Sequence, residues 1–265
     1  MKFKLGEFFC GPGGIALGAN LAGDVANDKG ETFSIEHTWA TDYEKDACRT
    51  YALNIHGVDL EECTNVINSD VRNLDYSRLD KIDGFAFGFP CNDFSIVGET
   101  KGLNGEYGPL YSYGVKLLKL QQPLWFVAEN VGGLSSANEG KAFKLILDDL
   151  KACGYKLVSH LYKFEKYGVP QARHRIIIVG IREDIDFIFR VPAPTHLKKY
   201  KTAGQALLEP AILSNSPNHD FTKQSKTVVE RLKYIKPGEN AWVETIPPHL
   251  RLNVKGAKLS NIYKR

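Results

Sequence analysis

The sequence predicts an α/β fold in which a mostly parallel sheet carries helices on both faces. Apolar, strand-like runs alternate with helical patterns through the first 190 residues. Glycines or acidic residues follow several of these runs, and 43% hydrophobic residues in a chain of 265 suffice for a sizeable core. Regular alternation of this kind is typical of parallel sheets, because each parallel connection needs a crossover helix.

Seven strands and four helices follow from the hydrophobic periodicity. The predicted strands are residues 2–9, 33–41, 66–68, 82–89, 124–128, 155–161 and 175–181. The predicted helices are residues 15–21, 45–54, 108–120 and 141–152, and the polar stretch 22–32 is predicted to be a surface insertion. The alternation stops near residue 190, where a Pro- and Lys-rich stretch begins. Two regions are therefore predicted, residues 1–190 and 191–265.

Composition excludes several classes of protein. No run approaches the roughly 20 apolar residues of a membrane span, and the first residues lack the cleavage pattern of a signal peptide. The five cysteines are odd in number and form no CxxC motif. This pattern argues against a disulfide framework and against a zinc site, and it favours a reducing compartment. We expect a cytoplasmic protein with no membrane partner and no metal.

Charge is distributed unevenly along the chain. Residues 1–150 hold 13 lysines and arginines against 22 acidic residues, whereas residues 151–265 hold 21 against 9. The net charges of the two parts are therefore −9 and +12. A basic part attached to an acidic one suggests a polyanionic partner, although an ordinary solvated surface explains the same counts.

A glycine-rich turn follows the first predicted strand. Gly11, Gly13 and Ala16 fit the GxGxxG/A pattern of nucleotide-binding loops, in which glycines permit a tight turn and close approach of a ligand. In an open α/β sheet, ligands bind beyond the carboxyl ends of the strands. The pattern alone does not distinguish one nucleotide from another.

Acidic and aromatic residues follow the next two strands. Asp42 is placed to accept from ribose hydroxyls and Tyr43 to lie against an adenine face, while Asp70 suits the adenine amino group and Val71 the ring. Each acid alone is more often a helix N-cap. Together they predict an adenosine pocket, and S-adenosylmethionine suits its acidic and aromatic walls, Glu7 and Phe9 included, better than a dinucleotide does.

Reactive side chains follow the later strands. Pro90 restricts the backbone, so the thiol of Cys91 is carried on a stiff turn. Because a free thiol is only a few per cent thiolate at pH 7, a nucleophilic Cys91 needs help from its neighbours. Glu129 ends the next predicted strand. Arg173 and Arg175 point the same way where an extended segment enters the last predicted strand.

The residues in this order resemble those of the DNA (cytosine-5) methyltransferases of the bacterial restriction-modification type. The resemblance covers most of residues 3–182. Its motifs are the loop of Phe9, Gly11, Pro12, Gly13 and Gly14, the acids Asp42 and Asp70, Pro90-Cys91, Glu129-Asn130-Val131, and Gln171-Ala172-Arg173-His174-Arg175. It implies a Rossmann-like methyltransferase fold that binds S-adenosylmethionine. It also implies that Tyr43, Val71, Pro90 and Leu110 belong to the cofactor site.

The resemblance further implies a mechanism on double-stranded DNA. Cys91 attacks C6 of a cytosine that has swung out of the duplex, Glu129 holds N3 and the amine, and Arg175 binds O2. Arg173 lies close to Cys91 or to a phosphate, and Asn130 orients the loops. C5 then takes a methyl group, and loss of its proton releases the enzyme.

Two departures from the family pattern carry weight. Asn92 stands where glutamine most often follows the cysteine, and residues 191–265 resemble only the start of a target-recognition region, without the last two family motifs. We expect either one subunit of a split enzyme, completed by a second polypeptide, or a truncated copy. The alternatives in function are a transfer RNA cytosine-5 methyltransferase, a nicotinamide-dependent oxidoreductase and a non-catalytic nucleic-acid-binding remnant.

Overall fold

The computed structural model describes the chain in two compact units. The described residues are 1–23, 25–26, 29–90, 110–135, 140–213, 215–216, 223–253 and 262–263. The units are Met1–Ala206 and Leu207–Arg265. The predicted boundary at residue 190 falls earlier, because Thr195 and His196 donate backbone hydrogen bonds to the carbonyl of Lys166 and so belong to the first unit. The roles expected of the two regions stay predictions.

The first unit contains all seven predicted strands and one more. Its strands are β1 (Lys2–Phe8), β2 (Val25–Ala26), β3 (Thr32–Asp42), β4 (Val66–Asn68), β5 (Gly84–Phe87), β6 (Trp125–Val131), β7 (Tyr155–Lys163) and β8 (His174–Arg182). Its helices are α1 (Gly14–Leu21), α2 (Lys45–Tyr51), α3 (Tyr111–Gln121) and α4 (Lys141–Lys151), and α5 (Ala203–Leu208) crosses into the second unit. The extra strand, β2, lies in the predicted surface insertion, where it pairs antiparallel with the start of β3.

The strands form one mostly parallel sheet. Their order is β2-β3-β1-β5-β6-β8-β7, with β4 paired to β3. The central pairs β3–β1, β1–β5 and β5–β6 are parallel, whereas β8 runs antiparallel to both β6 and β7. The carboxyl ends of β1, β3, β5 and β6 therefore meet at one edge, and β8 begins there. We call this the carboxyl edge.

Helices cover both faces of the sheet, as predicted. On one face, aromatic residues of the strands form a buried core with α3 and α4. The aromatic members on β1, β5 and β6 are Phe8, Phe85, Phe87 and Phe126. On the other face, Ala16 of α1 and Cys48 and Tyr51 of α2 pack against Ala40 and Val66. Successive side chains of a strand point to opposite faces, so one sheet supplies both cores.

The second unit has a small core of its own. Ile235, Ile246 and Leu250 are buried together, and Val243 and Tyr263 pack against them. Helix α6 (Lys226–Leu232) supplies the buried Arg231, whose Nε donates a 2.5 Å hydrogen bond to the carbonyl of Leu250. Within the parts of the chain that the structure describes, no helix has the length and apolar character needed to span a membrane.

Candidate active site

The turn after β1 has an unusual backbone. Phe9, Gly11 and Gly13 all have positive φ, at 54°, 53° and 95°. A positive φ is costly for a non-glycine residue, so Phe9 marks a locally strained turn of the kind that clusters at ligand sites. A Cβ added at Gly13 would lie 3.2 Å from Tyr51 Cδ2 and 3.1 Å from Ile55 Cγ1. Glycine is therefore favoured there, because a side chain would be strained at this φ and would press on Tyr51 and Ile55.

Asp42 holds this turn against the end of β3. Its Oδ2 accepts a 2.9 Å hydrogen bond from the Gly11 N–H, and its Oδ1 accepts one of 3.0 Å from the Glu44 N–H. The backbone N–H of Cys10 also donates to the Thr41 carbonyl at 3.1 Å. The predicted cofactor acid and glycine turn are thus brought together. The next residue, Tyr43, is 70% exposed and leaves its ring free for a ligand.

Asp70 is already paired in this structure. Arg72 donates to it from Nε and Nη2 at 3.0 and 2.7 Å and from its backbone N–H at 2.8 Å. These hydrogen bonds from Arg72 lower the pKa of Asp70 below its usual range. Sequence reasoning missed Arg72, although an acid followed two residues later by arginine was a visible signal. Val71 is buried in the core, so its contact with an adenine ring stays a prediction.

Glu7 does not form a wall of the site, and this expectation was wrong. It is 1% exposed, and its Oε1 accepts a 2.6 Å hydrogen bond from the Tyr51 hydroxyl. His37 Nδ1 lies 3.6 Å from the same oxygen. The alternation of side chains along β1 points Glu7 into the interior between the sheet and α2. Its contacts attach α2 to the sheet.

Glu129 and Arg175 form an ion pair at the carboxyl edge. Glu129 lies near the end of β6 and Arg175 near the start of β8, and Arg175 Nε is 2.7 Å from Glu129 Oε1. Their side chains are 29% and 20% exposed. Burial raises the pKa of Glu129 above its usual value, while the charges of Arg175 and Arg173 oppose that rise. Both predicted arginines therefore act on Glu129.

Asn130 links this pair to the turn that carries the predicted nucleophile. It is 2% exposed, its Nδ2 donates a 3.1 Å hydrogen bond to the Phe89 carbonyl, and its Oδ1 accepts from the Val131 N–H at 2.8 Å. Phe89 precedes Pro90, where the described segment ends. Cys91 and the loop up to residue 109 lie outside the described residues. Asn130 therefore fixes the backbone at Phe89, and its role in orienting the loops stays a prediction.

Leu110 and the glycines complete the predicted set. Leu110 is buried at the start of α3, and Gly14 opens α1 directly after Gly13. Pro12 and Gly11 form the outer part of the same turn, and a Cβ at Gly11 would meet no atom within 4 Å. These cofactor assignments stay predictions, although the structure brings the turn and Asp42 together.

Comparisons with known proteins identify the family of this chain. The family model described as C-5 cytosine-specific DNA methylase matches residues 3–264. The chain is 58% identical to the Type II methyltransferase M.BbvI of Brevibacillus brevis, covering 100% of this chain and 71% of that protein. It is 38% identical to the Type II methyltransferase M.NgoFVII of Neisseria gonorrhoeae, covering 100% and 67%.

A solved structure shows the same fold. It is a prophage-encoded Escherichia coli protein classed as a DNA modification methyltransferase, with a TM-score of 0.59 and 21% identity. The match covers 87% of this chain and 64% of that one, so this chain spans less than two thirds of its length. The predicted methyltransferase-type α/β fold is confirmed.

The fold is that of a methyltransferase, and the matching family model implies a methyl donor of the S-adenosylmethionine type. More particularly, the chain belongs to the C-5 cytosine-specific DNA methylase family. The resemblance found in the sequence is confirmed, and so is the expected enzyme class at the level of the family. The comparisons give no support for a second polypeptide, which stays a prediction.

Proposed function

We propose that this chain transfers a methyl group to C5 of cytosine in double-stranded DNA through a covalent bond between Cys91 and C6. The observation that carries this proposal is the Glu129–Arg175 ion pair, 2.7 Å long, at the carboxyl edge. It lies beside the end of β5, since Asn130 of the same strand bonds to the Phe89 carbonyl next to Pro90-Cys91. Because the chain belongs to a cytosine-specific family, we infer that Glu129 and Arg175 bind a cytosine.

The residues of the glycine turn fit S-adenosylmethionine as the methyl donor. Asp42 anchors Gly11 at 2.9 Å, the exposed ring of Tyr43 follows it, and the positive φ of Gly13 admits no other residue comfortably. No phosphate-binding side chain stands in this turn, whereas acidic groups suit a sulfonium. When bound, the donor supplies an electrophilic methyl group. Phe9, Gly11, Asp42, Tyr43 and Asp70 are the residues that would hold it.

Glu129 and Arg175 polarise the base. The raised pKa of Glu129 suits a carboxyl that shares a proton with N3 of cytosine as negative charge develops there. Arg175 keeps the carboxyl aligned and offers its remaining N–H groups to the O2 of the base. Because N3 gains a proton, electron density leaves C6, and C6 becomes electrophilic.

Bonds at C6 and C5 of the cytosine then form and break in turn. The thiolate forms an S–C6 bond, the electron pair of the C5–C6 double bond shifts to make a C4–C5 double bond, and the pair of the C4–N3 double bond takes a proton at N3. The product is an enamine that is nucleophilic at C5. As the C5–methyl bond forms, the methyl–sulfonium bond of the donor would break and the donor would leave as a neutral thioether. Removal of the C5 proton to a base, with return of the N3 proton to Glu129, restores the C5–C6 double bond and expels the thiolate.

C6 is out of reach inside a stacked duplex, so the target nucleotide is flipped out at a cost of roughly a few kcal/mol. Double-stranded DNA is therefore the proposed partner, bound partly through the basic residues of the second half of the chain. A reducing, cytoplasmic location suits the buried free thiols Cys10, Cys48, Cys63 and Cys153.

Methyl transfer from labelled S-adenosylmethionine tests the proposal. Purified chain is incubated with mixed-sequence DNA duplex and, separately, with transfer RNA, and the label is located by nucleoside analysis. We expect 5-methylcytosine in DNA. Label in transfer RNA alone would show that the substrate is RNA and not DNA. If S-adenosylmethionine binds but neither polymer is labelled, the proposal is contradicted.

A further inference from the structure

A basic strip extends from the carboxyl edge away from Glu129. We propose that residues 192–201, with the turn beneath them, contact the phosphate backbone of the DNA beside the flipped nucleotide. This inference rests on the proposed function, and it adds a surface that the mechanism does not use. The strip consists of Lys163, Lys166, Arg173, Lys198, Lys199 and Lys201.

Hydrogen bonds attach the segments of the strip to one another, first the turn Phe164–Tyr167 and then residues 192–196. The turn Phe164–Tyr167 lies on the segment before β8, since the Phe164 N–H donates to the Arg173 carbonyl and Glu165 pairs with His174, both at 3.0 Å. Residues 192–196 lie on that turn in the same way. The N–H groups of Thr195 and His196 donate to the Lys166 carbonyl at 3.0 and 2.8 Å.

One further contact joins residues 192–196 to the turn. The Tyr167 hydroxyl donates a 3.0 Å hydrogen bond to the Pro192 carbonyl. The exposed lysines that follow are therefore anchored within a few residues of these bonds. The strip begins at Arg173, whose charge already acts on the pKa of Glu129. Its position is thus tied to the Glu129–Arg175 pair, since Arg173 lies two residues before Arg175.

The charge along β8 is polarised. Residues 163–175 and 190–201 together hold eight lysines and arginines and one acidic residue, Glu165, which is paired with His174. The other end of β8, about 30 Å away for nine residues, is followed by the exposed acids Glu183, Asp184 and Asp186. A polyanion is therefore attracted more strongly to the strip than to the end of β8 that carries Glu183 and Asp186, where Arg182 pairs with Asp184. Phosphate contacts of this kind position DNA without reading its sequence.

The test is the salt dependence of DNA binding by a triple variant, Lys198→Gln, Lys199→Gln and Lys201→Gln. The probe is a fluorescent duplex of mixed sequence, titrated with the whole chain at several salt concentrations between 50 and 200 mM, a range over which phosphate contacts dominate affinity. The matched control is Lys81→Gln, Lys119→Gln and Lys151→Gln. These three lysines are also exposed, but they precede the starts of β5, β6 and β7 at the opposite edge.

A plot of the logarithm of the DNA association constant against the logarithm of salt concentration has a negative slope. Loss of two or three phosphate contacts makes that slope less steep by about 2 to 3. We expect that change in the strip variant only, with weaker binding at low salt and unchanged binding of S-adenosylmethionine. An unchanged slope, or an equal fall in the control variant, would overturn the proposal.

Binding is measured without methyl transfer, so the two proposals fail separately. A wild-type chain that transfers no methyl group but shows the expected slope difference refutes the proposed function and supports the strip. If the chain methylates DNA while both variants keep the wild-type slope, the proposed function is supported and the strip is refuted.

Discussion

The two halves of the carboxyl edge are built in different ways. Around β1 and β3, the backbone defines the site: positive φ at Phe9 and Gly13, and an N–H of Gly11 held by Asp42 at 2.9 Å. Around β6 and β8, charged side chains define it, through the 2.7 Å contact of Arg175 with Glu129. The first half suits binding of a cofactor, and the second suits a change of charge during reaction.

The difference predicts separable defects. Changes in the backbone-defined half should alter the dissociation constant of S-adenosylmethionine. Changes in the charged half should alter the rate of methyl transfer and leave cofactor binding intact.

Cys91→Ala should have the largest effect. Without the thiolate no bond to C6 forms, so single-turnover methyl transfer should fall by at least about 10⁴-fold. Cofactor binding, measured by calorimetry, should equal that of the wild type. Cys63→Ala is the control, since that thiol is buried in the core near α2. If the Cys91→Ala chain still methylates DNA, Cys91 is not the nucleophile.

Glu129→Gln should slow methyl transfer by roughly 10²- to 10⁴-fold. Because the pKa of Glu129 is raised, the carboxyl keeps its proton to a higher pH than an ordinary glutamate does. The wild-type rate should therefore fall as pH rises through that pKa, and the variant should lose this dependence. Single-turnover rates across pH measure both effects.

The exposed Glu183, beyond the far end of β8, provides the matched control as Glu183→Gln. It should keep the wild-type rate and the wild-type pH profile. If Glu129→Gln kept the same fall in rate at high pH, another group would be responsible for it.

Gly13→Ala should weaken the backbone-defined half. The residue has a φ of 95°, and a Cβ would press on Tyr51 and Ile55, so we expect a loss of about 1–3 kcal/mol in the free energy of unfolding. Cofactor affinity should fall with it. Gly18→Ala in α1, where a Cβ meets nothing within 4 Å, should instead stabilise by up to about 1 kcal/mol. Urea unfolding distinguishes the two, and equal effects would show that the turn is not constrained.

Tyr43→Ala should have the smallest effect. An exposed ring that packs on adenine contributes about 0.5–1.5 kcal/mol, so the dissociation constant of S-adenosylmethionine should rise roughly 2- to 10-fold. Tyr43→Phe keeps the ring and should bind as the wild type does. Equal affinity in all three proteins would exclude Tyr43 from the cofactor site.

The sequence predicted the strands and their ends well, because apolar runs and the residues after them are local features. It did not predict the contacts that cross between strands. The reversed direction of β8, which brings Arg175 to Glu129, depends on how the 155–182 segment folds back. A connection too short for a crossover helix between β7 and β8 was the available signal.

Two side chains show why local reasoning failed in detail. Glu7 is a residue type that suits the wall of a cofactor site. However, the alternation of side chains along β1 points it into the interior, where it accepts a hydrogen bond from the Tyr51 hydroxyl. Asp70 follows β4 as expected, yet Arg72 occupies its carboxylate. Tyr51 lies 44 residues from Glu7, so that contact is tertiary. Arg72 lies two residues from Asp70, so that contact is local and could have been read from the sequence.

The most direct test of the central claim is a duplex in which the target cytosine is 5-fluorocytosine, incubated with the chain and S-adenosylmethionine. Fluorine at C5 cannot leave as the proton does, so we expect a stable protein–DNA adduct that peptide mapping assigns to Cys91. Attachment at another cysteine, or no adduct under conditions in which ordinary DNA is methylated, would contradict it.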